Sequence, residues 1–180
     1  SAIRRCLDYQ NVSVISFGIR NISASEILYL KKNQKRINIF WAKDKANWNL
    51  NFFKKLIKNK TVYLTFDVDG LDSSIMPATG TPEPGGLFWD ETLKILKLAF
   101  KNSNIVGADV NELSPIKGFN SYNFLVAKLV YKILSYKFLY KWFSLKVFSN
   151  NLKGTNIVNV TIIFTARSPR ESVIQGIVVP

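Results

Sequence analysis

The chain has 180 residues, of which 47% are hydrophobic and 13% aromatic, enough for one domain with an apolar core and too apolar for a disordered chain. Its net charge of +13 comes from 25 Lys and Arg against 12 Asp and Glu. The lysines are scattered from Lys31 to Lys153 without a docking motif, so they read as solvated helix faces and not as a nucleic-acid footprint. The single cysteine, Cys6, excludes an internal disulfide framework and fits a reducing cytoplasm.

Ser1 to Arg5 has no apolar stretch behind its charges and is not a signal peptide. With no initiator Met, the chain is expected to begin partway through a longer protein. Val12 to Phe17 is the first strand, a β-branched and aromatic run of the kind covered on both faces of a parallel sheet. Ser23 and Glu26 stand at capping-box spacing ahead of a helix near Ile27 to Leu30. Ile37 to Phe40 is a shorter strand. Phe52, Phe53, Leu56 and Ile57 fit a second helix, and Val62 to Phe66 is another doubly covered strand.

Asp72 to Gly86 holds three prolines and three glycines and is irregular. It follows directly on the Val62–Phe66 strand, so it lies at the carboxyl end of the sheet, where open α/β folds place their ligands. Asp90 is expected to N-cap a third helix, with Leu93, Leu96, Leu98 and Phe100 among its apolar positions. Ile105 to Ala108 is a further strand. Tyr122 to Phe148 is apolar but interrupted by Lys128, Lys132, Lys137, Lys141 and Lys146. A spanning helix needs about 20 mostly uncharged residues, so no membrane partner is expected. Beyond Tyr136 the alternation fades to one strand-like run, Ile157 to Phe164. The alternation before it implies βαβ units, a parallel sheet and helices on both faces.

The chemistry concentrates in Phe66-Asp67-Val68-Asp69-Gly70-Leu71-Asp72. Residues two apart on an extended chain project to the same side, so Asp67 and Asp69 can converge. Converging carboxylates at the end of a buried strand repel unless a cation or hydrogen-bond donors sit between them. Hard oxygen ligands suit Mg²⁺, Ca²⁺ or Mn²⁺. The bland alternative for a bare Asp-x-Asp is that one acid caps a turn and the other faces water.

The run TVYLTFDVDGLDSSIMPATGTPEPGG, followed by NIVGADVNELSP and LVAKLVYKIL, resembles the third conserved block and C-terminal region of the ureohydrolases, the arginase/agmatinase family, and the agmatinases in particular. SAIRRCLDYQ and VSVISFGIRN resemble the segment that leads into that block. The resemblance implies a three-layer α/β/α sandwich with a mainly parallel sheet, its N-terminal strands missing. Residues 1–136 would be the C-terminal part of a ureohydrolase domain and 137–180 a divergent tail. Asp67 matches the carboxylate that bridges two Mn²⁺ ions, Asp69 one that binds a single ion, and Glu112 the acid that pairs with the substrate guanidinium. The implied reaction is hydrolysis of agmatine to putrescine and urea, or of arginine or guanidinobutyrate, by a homo-oligomer acting on a small guanidino substrate. Asp72 and Asp109 read as loop- and fold-stabilising, Arg4 and Arg5 as surface residues, and Glu112 alone could equally cap the loop at Ser114-Pro115.

Two departures stand out. There is no histidine, so the family's Gly-Gly-Asp-His and Asp-Ala-His-x-Asp blocks and its proton-shuttling His are missing. Ser73 replaces the proline that usually follows the Leu-Asp pair, which is expected to loosen the loop. The isolated chain is therefore expected to be inactive: a split half, a remnant, or a non-catalytic partner of an intact ureohydrolase.

Overall fold

A computed structural model describes residues 2–144 and 159–164. Its centre is a five-stranded sheet in which β1 (Val12–Ile19), β2 (Ile37–Trp41), β3 (Thr61–Asp67), β4 (Asn104–Asn111) and β5 (Asn159–Phe164) run in the order β2-β1-β5-β3-β4. Every neighbouring pair is parallel. Helices α1 (Ala2–Cys6), α2 (Ala24–Lys32), α3 (Leu50–Ile57), α4 (Trp89–Asn102) and α5 (Asn120–Ser144) flank it.

Side-chain alternation along the strands sorts the helices. Val14 and Ile37 are registered neighbours that pack with Ile3 of α1, with Leu7 just after it, and with Tyr29 and Leu30 of α2. Ile15, Phe17, Ile162, Phe164, Leu64 and Phe66 instead enter the main core with Phe53 and Ile57 of α3, Leu96 and Ala99 of α4, and Leu129 and Ile133 of α5. Helices on both faces give the expected α/β architecture.

An aromatic row crosses that core. Phe40, Phe17, Phe164 and Phe66 occupy registered positions on four successive strands. Their ring centroids are 4.4, 5.6 and 4.6 Å apart, each pair stacked. Strand spacing near 4.8 Å holds rings at that separation, and Phe53 closes the row edge-on to Phe17 at 4.9 Å.

The local expectations hold with one correction. Glu26 accepts from both the N–H and the hydroxyl of Ser23, each at 2.9 Å, at the start of α2. The N-cap of α4 is Phe88, not Asp90; Asp90 lies in the first turn beside Glu91. The shift follows from Glu91, whose carboxylate reaches back to the Phe88 N–H at 2.9 Å and also holds Lys45 at 3.2 Å. No helix among the described residues is long and apolar enough to cross a membrane. Helix α5 runs across position 136 without a break. The strand in the tail is β5, bounded at Asn159; residues 157 and 158 and 145–148 lie outside the described residues.

Candidate functional site

The carboxyl ends of β3 and β4 and the loops beyond them form the site. β3 ends at Asp67, and one turn of 3₁₀ helix, Val68–Gly70, follows at once. That turn folds Asp69 back over the strand end, so its N–H donates to Asp67 Oδ1 at 3.1 Å. The two carboxylates also share a hydrogen bond with each other. Asp69 is 3% exposed. Burial first, then the adjacent Asp69 charge and the hydrogen bond to its side chain, with Glu112 farther off, push the Asp67 carboxyl far above the usual carboxylate range. A proton held on Asp67 relieves the repulsion that a cation would otherwise offset.

A buried arginine, unremarked in the sequence, supports this turn from below. Gly18 takes φ 82 where the β1–β2 register shifts, and the bulge bends the strand just before Arg20. The Arg20 side chain is 6% exposed. Its Nη2 donates to the Asp69 carbonyl and its Nη1 to that of Gly70 at 3.4 Å, while Nε lies 3.8 Å from Glu83. A Cβ on Gly86 would collide with Arg20 Nη1 and the Leu71 carbonyl, so only glycine passes there. The signal was a lone cation directly after an apolar strand that ends at the same sheet edge as the acids.

Asp72 is the organiser of the Pro/Gly loop, as the sequence suggested. One of its oxygens accepts from the Ser74 N–H at 3.0 Å and the Ser74 hydroxyl at 2.5 Å; the other accepts from the Gly85 and Gly86 N–H groups at 2.7 and 3.1 Å. Burial alone would raise its pKa, but these donors together hold it below the ordinary value. Ser73 does not leave the loop slack: its N–H, which a proline lacks, donates to the Glu83 carbonyl at 3.3 Å. Asp109 is held inside the sheet by the Thr65 hydroxyl at 2.7 Å and by the Asn111 amide. Arg4 and Arg5 of α1 pair at the surface with Asp8, two residues past the helix.

Glu112 follows β4 at the same edge, with φ 64, a left-handed conformation that costs a residue with a side chain. The loop after Met76 imposes it: Thr79 bridges Leu113, and the Ser114 N–H donates to the Ala78 carbonyl at 2.9 Å. The Glu112 carboxylate lies beside Gly80 and is near enough to Asp67 to influence its proton. Among the described residues no hydrogen bond joins it to the Ser114-Pro115 loop. The structure thus brings Asp67 and Asp69 together and sets Glu112 on the same rim.

A model of the arginase family matches residues 1–135. The chain belongs to the arginase family. It is 37% identical over 137 residues to the N(1)-aminopropylagmatine ureohydrolase of a Synechocystis species, covering 74% of this chain and 44% of that one. It is 31% identical over 136 residues to the agmatinase of Pyrococcus horikoshii, covering 74% and 46%. Among solved structures, the agmatine ureohydrolase of Thermoplasma volcanium superposes with a TM-score of 0.60 at 26% identity, covering 71% of this chain and 43% of that one. This arginase-family chain therefore spans less than half the length of these relatives.

Members of the arginase family are generally metal-dependent. Asp67 and Asp69 fit a share of one hard divalent ion's oxygen shell. They do not fit a bridged pair: among the described residues no three His, Cys, Asp or Glu side chains gather to hold a metal ion.

Proposed function

We propose that this arginase-family chain is the acid-bearing half of a ureohydrolase domain that hydrolyses a small guanidino compound, agmatine first, to urea and an amine. The observation that carries the reading is the convergence of Asp67 and Asp69 on a rim shared with Glu112. Hydrolysis requires a water oxygen to bond to the guanidinium carbon while the bond to the alkyl nitrogen breaks, putrescine leaving as the amine when agmatine is the substrate. Glu112 receives the planar guanidinium through charge-assisted hydrogen bonds, and its proximity to Asp67 brings the reacting carbon toward the metal-side acids. Asp67 and Asp69 contribute carboxylate oxygens toward Mn²⁺, the cation that lets both ionise side by side. The preference for agmatine rests on the likeness to the Pyrococcus horikoshii agmatinase. The reading extends to a cytoplasmic, homo-oligomeric enzyme of polyamine formation.

Carboxylates from this chain alone are too few to activate water, so no urea is expected from it in isolation. The test is Mn²⁺ line broadening in the NMR spectrum of the chain. Broadening centred on Asp67 and Asp69, and lost in Asp67→Asn, is the expected result. Broadening that ignores that substitution, or none at millimolar Mn²⁺, would sink the proposal.

A further inference from the structure

β1 and β3 are not neighbours. Six residues of β1, Val12–Phe17, and six of β3, Thr61–Phe66, each pair with β5 and not with one another. Remove β5 and the family-matched residues 1–135 form two separate strand pairs, β1–β2 and β3–β4, divided by a gap one strand wide. Both walls of that gap are rows of backbone N–H and C=O groups that must find partners. Its floor is apolar: Ile15 and Leu64 flank Ile162, and the Phe17 and Phe66 rings stack on Phe164. The occupant, β5, lies beyond the end of the family match.

Relatives of which this chain matches less than half share this fold. The gap is set by matched residues, so in them a strand from the portion this chain lacks must fill it. β5 runs parallel to β3 and ends at Phe164, level with Phe66 and one residue before Asp67; a strand taken up in the same direction and register would end there too. Residues following such a strand emerge beside the incomplete pair of carboxylates.

We infer that the β1–β3 gap is an acceptor site for a polypeptide strand, that β5 is its replaceable resident, and that the partner is the portion of an arginase-family domain that this chain lacks. Recognition is by strand addition along both edges, with apolar side chains against the Phe17–Phe66 floor. This rests on the proposed function only for its purpose, completion of the carboxylate site, and not for its geometry.

The experiment mixes the full chain with the separately produced part of the Synechocystis N(1)-aminopropylagmatine ureohydrolase that the chain does not match. Hydrogen exchange by mass spectrometry then follows residues 159–164. A complex in which 159–164 lose protection while 12–17 and 61–66 keep theirs is expected. Weakening the resident should help the partner: Ile162→Ala is expected to tighten the complex at least fivefold, and the milder Ile162→Val to tighten it less. Failure to form a complex overturns the inference, as does a complex that leaves 159–164 protected or is weakened by both variants. Urea release is read separately with agmatine and Mn²⁺. A complex with β5 displaced and no urea refutes the proposed function and leaves the strand site standing.

Discussion

Arg20 and Asp69 meet through the backbone: the buried guanidinium donates to the Asp69 carbonyl, while the Asp69 carboxylate faces Asp67. The cation thus fixes the shape of the acidic turn. Arg20→Met should remove the arginine donors from the Asp69 and Gly70 carbonyls, the latter keeping the Leu87 N–H, and leave Glu83 without its counter-charge, at a cost of about 2–4 kcal/mol. Arg20→Lys keeps the charge but loses the fork, and should cost about half as much. Thermal unfolding of both variants, with exchange of the 68–72 amides, measures this; equal stability of all three proteins would show that the contact contributes nothing.

Asp67 should make the chain less stable as pH rises. Its carboxyl holds a proton more tightly folded than unfolded, so the stability it contributes is fully present below about pH 4, the ordinary carboxylate value. That contribution falls as pH climbs toward the raised folded value. Asp67→Asn should flatten this part of the profile and stabilise the metal-free chain by about 1–2 kcal/mol near pH 8, the trade of stability for function usual at such sites. Denaturant unfolding from pH 5 to 8 checks it.

Asp72 behaves in the opposite sense. Its pKa is lowered, so its contribution is present above the ordinary carboxylate value and lost as pH falls through the folded one. Asp72→Ala removes the acceptor for three backbone N–H groups and the Ser74 hydroxyl, at a cost of about 2–4 kcal/mol at neutral pH. The 73–86 loop should then be cut readily under limited proteolysis that spares the wild type.

Glu112 carries backbone strain as well as a carboxylate. Glu112→Gly should relieve the positive φ and raise stability by about 1 kcal/mol, whereas Glu112→Ala keeps the strain and should not. Melting temperatures of the two variants separate strain from charge.

Phe164 fills the centre of the aromatic row. Phe164→Ala should cost about 3–5 kcal/mol and expose the inner edges of β1 and β3 to exchange while β2 and β4 stay paired. Unchanged exchange at 12–17 and 61–66 would contradict the central place of β5.

The sequence by itself determined the strands, the helices and the parallel sheet; Asp67 and Asp69 do meet, but through the 3₁₀ turn after β3 and not through the two-residue period of an extended chain. Those features are local: alternation, capping spacing and side-chain period act within a few residues, and their readout does not depend on distant partners. It also marked Asp72 correctly as a loop organiser, because a Pro/Gly run so close to an acid needs its backbone donors satisfied. Arg20, the strain at Glu112 and the position of β5 were decided only by the tertiary structure. Arg20 acts on carbonyls 49 and 50 residues away. The φ of Glu112 is imposed by Thr79 and Ala78 from another loop. β5 reads as an ordinary apolar run, and nothing in its composition says that two strands, β3 and the still more distant β1, leave a gap of its width far upstream. Such relationships arise when packing closes edges that are far apart in the chain, and no local pattern encodes them.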